Sequence, residues 1–477
     1  MSPTDQAPAL PVHELIGELG EQGVLTEALD LARYCGPFRG RPGAAAAVLR
    51  PATVEQVRST VGWARRHRVR LLPQGAATGL VGASTPPPPG EGPQMVVVSL
   101  ERLDAEPVID AVDRTAVVTA GTRLSRLNDA AGAHDLALPI DLGADPMLGG
   151  MVATNTGGAR MLRHGDVRRH VLGVRAVVAD AGCTVVDDLS TLRKHNVGPS
   201  PSQWFVGSGG AFGIITDVAV QLEQVATARA CAWVVPTGDE AALTALLHLE
   251  RRHGGWLEAY EVVSAEALDA ALAHGSPVHP FGDRPSPPLA ALVELAGDAA
   301  STGGDAAEER LLGALEELAA DGLITDGVVV DPARAWLPRH AVSEGLRQLG
   351  TVLGFDVSVP RPALPAFLRR ARQVVHAVAP DAVVADFGHW GDGGVHCNVV
   401  LPGVDQVDPE LASRLRAAVL GATVREFGGS FSAEHGIGPT NADWWLAATP
   451  EGVQQLTHQL KSVFDPLGVL GHPGLPY

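Results

Sequence analysis

Apolar positions along this chain follow two rhythms, and the balance between them changes near residue 225. Val54, Val57 and Val61 fall on one stripe at helical spacing, and Thr53 with Gln56 three residues on forms a capping box, so Thr53 to Val69 reads as a helix. The segment from Leu71 then meets a glycine-rich loop, Gly75 to Gly82, and a proline run, Pro86 to Pro89, that neither a helix nor an inner strand accommodates. Short β-rich runs follow at Met95–Leu100, Ala116–Gly121, Leu172–Asp180 and Ile214–Leu222. This half predicts an α+β domain of short strands joined by long glycine-bearing loops. Beyond Val225, helical patterns at Asp239–Arg252, Asp305–Ala320 and Leu364–Ala379 alternate with strands at Leu289–Leu295 and Asp356–Val359. That pattern predicts a second domain, an antiparallel sheet covered by helices. A helix near Gly452–Phe464 closes the chain, and no fixed-period repeat is present.

At 477 residues the chain exceeds what one core organises, so two or three domains are expected. The net charge of −18 argues against a general nucleic-acid binder, because the phosphate backbone would be repelled. A local basic pocket can still bind a small carboxylate against that background. Cys35, Cys183, Cys231 and Cys397 are far apart and form no CxxC pair, which disfavours a disulfide framework or thiolate cage and fits a reducing compartment. The N-terminus lacks the order of a signal peptide, and no apolar run is long enough to span a bilayer. The expectation is a soluble cytoplasmic protein.

Three glycine-rich elements carry the first candidate chemistry. They are Pro73–Ser84 (PQGAATGLVGAS), Pro139–Gly143 (PIDLG) followed by Gly149–Gly158 (GGMVATNTGG), and Val206–Thr216 (VGSGGAFGIIT). Their backbone N–H groups can approach an anion closely, as a diphosphate requires. The first loop taken alone reads as an ordinary glycine-rich turn. None is GxGxxG between a strand and a helix, so a nicotinamide site is not supported.

The second candidate is the stretch Asp386–Val400 (DFGHWGDGGVHCNVV), two apolar β-runs around a tight turn. The turn would set His389 and His396 side by side, with Asn398 on the same strand face as His396 and Cys397 turned into the core. Further on, Phe431–Gly438 (FSAEHGIG) places a carboxylate and an imidazole together. Two imidazoles and one carboxylate suit a catalytic divalent metal such as zinc. Spacing alone explains two histidines beside a turn equally well as core or surface residues. By the same measure, Arg339 in Trp336–Glu344 reads as a solvated helix arginine.

Taken in order, PQGAATGLVGAS, PIDLGA, GGMVATNTGG, LRKHNVG and VGSGGAFGIIT resemble the FAD domain of vanillyl-alcohol oxidase type flavoproteins. The order and spacing are closest to the FAD-linked D-2-hydroxy acid dehydrogenase family, the D-2-hydroxyglutarate and D-lactate branch, from about Arg39 to the C-terminus. The resemblance implies an FAD-binding domain of two α+β subdomains over 39–225, after an N-terminal extension over 1–38. A substrate cap would follow over 226–435, and a C-terminal segment over 436–477 would return to the FAD domain. FAD contacts are implied for Pro73, Gln74, Gly75, Ala76, Ala77, Thr78, Gly79, Ser84, Pro139, Asp141, Gly149, Gly150, Thr154, Asn155, Gly158, Gly207 and Ile215. Some relatives attach FAD through a His or Cys in or near the first loop; here that loop has neither, so non-covalent FAD is expected. His389, His396 and Glu434 become metal ligands, zinc being the expected ion. His435 becomes the base, and Arg339, Ser343 and Asn398 become substrate contacts. The implied reaction oxidises a small D-2-hydroxy acid to the 2-oxo acid with hydride transfer to flavin N5. The implied partner is an electron acceptor such as an electron-transfer flavoprotein, a quinone or a cytochrome, and a homodimer is one candidate assembly.

The chain departs from the family pattern at Gly209 (usually Glu), Gly394 (usually Asn) and Gly354 (Lys in the hydroxyglutarate enzymes). It also lacks the expected basic residues over Pro439–Trp445, and Leu470–Leu475 replaces an Asn-Pro-Gly-Lys-like ending. Two alternatives therefore stay open: a flavin-binding subunit or regulator with degraded catalysis, and an oxidase that uses oxygen directly.

Overall fold

The computed structural model describes residues 10–36, 41–298 and 306–477. The expected boundary at 38/39 and the expected helix start at Asp305 lie outside the described residues.

The first sheet is built from β1 (Val24–Leu25), β2 (Ala45–Leu49), β3 (Arg70–Gln74) and β4 (Met95–Ser99) in the order β1-β2-β4-β3. Strands β2, β4 and β3 run parallel, as the crossover helix α1 (Val54–His67) between β2 and β3 requires. Thr53 caps α1 by accepting the Gln56 N–H at 3.2 Å, while the Gln56 side chain reaches back to the Ala52 N–H and not, as a reciprocal box would have it, to that of Thr53. Pro86–Pro89 lies in neither helix nor strand, as expected.

The second sheet is antiparallel: β5 (Val108–Asp110), β6 (Thr115–Thr119), β8 (Val171–Val177), β9 (Val185–Asp187) and β10 (Ile214–Gln221), in the order β5-β6-β10-β8-β9. A short ribbon of β7 (Leu136–Ala137) and β11 (Glu223–Gln224) and the helix α2 (Leu148–Thr154) complete this half. One hydrophobic core joins both sheets, and Val12, Leu15 and Leu19 at one end and Val469, Leu470 and Leu475 at the other are buried in it.

The third sheet has seven antiparallel strands: β12 (Ala228–Pro236), β13 (Leu257–Ser264), β14 (Leu289–Gly297), β15 (Ile324–Val330), β16 (Gly350–Ser358), β17 (Val383–His389) and β18 (Gly394–Pro402). Their order is β15-β12-β14-β13-β17-β18-β16. Helices α3 (Asp239–His253), α4 (Ala265–His274), α5 (Ala306–Ala320), α6 (Leu337–Leu349), α7 (Leu364–Val378) and α8 (Pro409–Gly421) cover it, giving two further apolar clusters, one on each face. The architecture is α+β, as the sequence pattern predicts.

Helix α9 (Glu451–Phe464) brings the chain back to the first half. There the Lys461 ammonium donates to the Ala211 carbonyl at 2.7 Å, the Asp465 carboxylate at 2.8 Å and the Leu470 carbonyl at 2.9 Å. Leu470 also bridges Leu71 in parallel at the edge of β3. All four cysteines are buried free thiols, and Cys397 packs into the third sheet's core. Among the described residues no helix is long and apolar enough to cross a membrane.

Candidate active site

A cavity of about 720 Å³ runs between the glycine-rich loops of the first half and one face of the third sheet. That volume lies within the roughly 300–1,000 Å³ usual for cofactor and ligand pockets. Its first wall is preorganised by Gln74, a buried residue at the end of β3 whose amide donates to the Tyr34 carbonyl at 2.9 Å and the Ser84 carbonyl at 2.7 Å. The loop 75–84 is thereby tied at both ends. At Gly79 and Gly150 an added side-chain carbon would meet nothing within 4 Å, so bare backbone faces open space, as close approach to an extended anion requires. Gly158 serves contact instead: its φ is +155°, and a Cβ there would stand 2.4 Å from the Asp141 carbonyl. These features fit the dinucleotide FAD.

Pro73 through Gly79, Ser84, Asp141, Gly149, Gly150, Thr154, Gly158 and Ile215 line this cavity, whereas Pro139, Asn155 and Gly207 lie outside its wall. Asn155 ends α2 in the left-handed conformation, and its side chain is consumed by Asp166 (2.7 Å) and the Arg168 N–H (3.0 Å). Gly207 donates its N–H to Val152 at 3.0 Å and braces α2 from behind. Pro139 directly precedes Ile140, which is buried in the first core.

The opposite wall is the hairpin β17–β18, whose turn is closed by Asp392 accepting the Gly394 N–H at 2.7 Å. The hairpin sets His389 Nε2 3.3 Å from His396 Nε2. Two nitrogens each ~2.0–2.1 Å from a tetrahedral zinc ion stand about 3.3 Å apart, so this pair already has ligand spacing. Glu434 Oε1 lies 3.6 Å from His396 Nε2 and 3.8 Å from His435 Nε2. Asp356, His396, Glu434 and His435 each offer a donor atom within 4.8 Å of the others. The structure thus brings His389, His396, Glu434 and His435 to one wall and adds Asp356. The donor set fits a divalent cation.

Asp356 and Glu261 were not legible as site residues. One oxygen of Asp356 accepts the N–H groups of Glu434 at 2.9 Å and His435 at 2.8 Å, fixing the loop that carries both. Its other oxygen is buried, has no hydrogen-bond partner among the described residues and lies 3.6 Å from His396 Nδ1. Glu261, on β13 opposite His389, is hydrogen-bonded to His389 Nδ1 and to Arg339. Each is an acid set in a mostly apolar strand run, Glu261 with Glu258 in LEAYEVVS and Asp356 alone in GFDVSV, and that is the available signal, since acids are almost never fully buried unless paired.

Arg339 and Ser343, one turn apart on α6, both line the cavity, as does Asn398. The Arg339 guanidinium sits 4.3 Å from the Phe387 ring centroid, a cation–π contact that limits its motion. The Asn398 amide donates to the His396 carbonyl at 3.1 Å. Burial alone would raise the Glu261 carboxyl, but His389 and Arg339 outweigh it and hold it down at about 2. Burial likewise disfavours a charged His389, yet Glu261 carries that ring up to about 9. At Glu434 burial prevails over the pull of His389, and its pKa is raised.

Residues 45–187 match the family described as FAD binding domain, and residues 226–472 match the FAD linked oxidases, C-terminal domain. Fold and site together therefore define an FAD-linked oxidoreductase. The chain is 33% identical to D-2-hydroxyglutarate dehydrogenase of Xanthomonas citri pv. viticola over 465 residues, covering 94% of this chain and 93% of that protein. It is 32% identical to the mitochondrial D-2-hydroxyglutarate dehydrogenase of Rattus norvegicus over 434 residues, covering 90% and 77%. The chain belongs to the FAD-linked D-2-hydroxy acid dehydrogenase family. Among solved structures the fold resembles alkyldihydroxyacetonephosphate synthase (TM-score 0.73, 17% identity, 98% of this chain and 85% of that one). It also resembles p-cresol methylhydroxylase with substrate bound (TM-score 0.71, 18% identity, 98% and 96%).

Proposed function

We propose that this enzyme oxidises a small D-2-hydroxy acid, of the D-2-hydroxyglutarate or D-lactate type, to the 2-oxo acid. The observation that carries the reading is the pair of imidazole nitrogens 3.3 Å apart beside Glu434 and His435, on the wall facing the glycine cradle. FAD, held without a covalent link, supplies a two-electron acceptor at N5. A divalent cation, zinc by preference, would supply Lewis acidity toward the substrate hydroxyl.

His389, His396 and Glu434 would hold the cation, and Arg339 would bind the substrate carboxylate with its planar fork. Ser343 and Asn398 add hydroxyl and amide contacts that set the orientation. His435 accepts the hydroxyl proton, a contribution of roughly 10²–10⁴-fold for a positioned base. Oxidation would cost the substrate one proton, taken by His435, and a hydride from C2, for which bound FAD would be the acceptor; the external acceptor, an electron-transfer flavoprotein, quinone or cytochrome, would then take up the two electrons from the flavin. On this reading residues 39–225 form the FAD unit, 226–435 the substrate unit and 436–477 the returning segment.

The test is anaerobic flavin bleaching against D- and L-2-hydroxy acids, with and without a chelator. Bleaching by one D-acid, lost on chelation and restored by zinc, supports the assignment. A yellow protein that no acid reduces points to a flavin-binding subunit without catalysis, and the reading fails.

A further inference from the structure

Glu261 is fully buried and stands behind the cavity wall, not in it. It divides its oxygens between two elements: Oε1 meets His389 Nδ1 on β17, and Oε2 accepts the Arg339 Nε–H from α6 at 2.6 Å. Packing does not ask for an acid here. Ala259 and Val263, which flank it on the same face of β13, are buried apolar residues. A buried ion pair is also weak evidence for stability, because desolvation opposes the attraction.

We propose that Glu261 is a positioning residue that sets the cation-facing nitrogen of His389 and the substrate-facing edge of Arg339 with one side chain. The inference rests on the roles given to His389 and Arg339 above. An ionised carboxylate only accepts, so His389 meets it with Nδ1–H, and Nε2 is left toward His396. Arg339 meets it with Nε–H, so among the described residues both terminal nitrogens remain for a substrate carboxylate while Phe387 limits the guanidinium's tilt. Two donors require two acceptors. The amide of Glu261→Gln has the same shape but offers one acceptor and one donor group. If the NH₂ faces His389, the ring shifts its proton to Nε2 and loses the cation. If it faces Arg339, the fork is displaced.

The experiment compares FAD-loaded wild type, Glu261→Gln and Glu258→Gln for zinc affinity by chelator competition and, at saturating zinc, for KM with the D-acid that bleaches the wild type. Glu258 is a matched control, buried on the same strand but bound by Arg163 at 3.0 Å and Arg160 at 3.5 Å. Glu261→Gln is expected to keep FAD and to lose zinc affinity by about 10–100-fold, or to keep zinc and raise KM by about tenfold with kcat less changed. Glu258→Gln is expected to move neither. Unchanged zinc affinity and KM in Glu261→Gln, or an equal loss in Glu258→Gln, overturns the proposal. Should Glu261→Gln fail to retain FAD, ¹H–¹⁵N correlation of histidine rings in the wild type decides, with His389 assigned by His389→Gln. A proton on His389 Nδ1 with and without zinc supports the proposal, and its absence in either state overturns it. A wild type that holds no zinc defeats the metal reading itself, and this inference with it. Wild-type zinc binding with an indifferent Glu261→Gln defeats the inference alone.

Discussion

Asp356 accepts the backbone N–H of His435 at 2.8 Å, so the loop bearing the proposed base is fastened by a strand residue 79 positions earlier in the chain. The same oxygen takes the Glu434 N–H, and hydrogen bonds to a charged group contribute about 1.5–3 kcal/mol each. Asp356→Ala is therefore expected to lower kcat by at least tenfold while FAD absorbance is retained. An unaltered rate would show that the loop holds itself.

His435→Ala is expected to lower anaerobic flavin reduction by roughly 10²–10⁴-fold with FAD and zinc content unchanged. Normal reduction in that variant would remove His435 from the proton transfer and leave the cation site standing.

Arg339, Ser343 and Arg347 follow one another at four-residue steps on α6, and all line the cavity. Arg347 stands two turns beyond Arg339, about 12 Å along the axis. Gly354, paired with Asn398 in the facing strands, contributes no side chain to the intervening space. Arg347→Ala is expected to raise KM for a five-carbon hydroxy diacid about tenfold, as the loss of one charged contact implies, and to raise it far less for D-lactate. Equal effects on both acids would reduce Arg347 to the surface partner of Glu344, to which it bonds at 2.7 Å.

Glu258 supplies the pH dependence. Burial opposes its charge, but His164, Arg160 and Arg163 hold its carboxyl down at about 2, from the ordinary 4.5. A depressed folded pKa stabilises the fold above the unfolded value, and the gain disappears as pH falls from 4.5 toward 2. The full gain is about 3 kcal/mol, since each pKa unit is ~1.4 kcal/mol. The difference in melting temperature between wild type and Glu258→Gln is expected to be constant near neutrality and to narrow below pH 4.5. A difference that does not change with pH would show that Glu258 titrates alike in folded and unfolded chains.

What the sequence discloses follows the range of the interactions. The Thr53 cap, the glycine loops and the tight turn between His389 and His396 are local, and each was legible from neighbouring residues. Strand β16 was legible only from Asp356 onward, because its first residues, Gly350–Phe355, are fixed by pairing with β18 along the whole edge. Glu261 was invisible for a related reason: Arg339 lies 78 residues away and His389 128 away, and only the third sheet brings them together. For Asn155, its place in a glycine-rich motif says nothing of the Asp166 and Arg168 groups that its side chain meets.

The clasp of Lys461 on Ala211 and Leu470 bears on how the protein is made. The third glycine-rich loop and the edge of β3 are finished by residues that follow them far along the chain, Lys461 lying 250 positions after Ala211. Residues 45–221 can pair their strands early, yet their core stays open at Leu71 and Ala211 until Leu470 arrives. Cofactor loading would then wait for the Lys461–Leu470 segment, and chains cut before residue 450 are expected to retain no FAD on isolation.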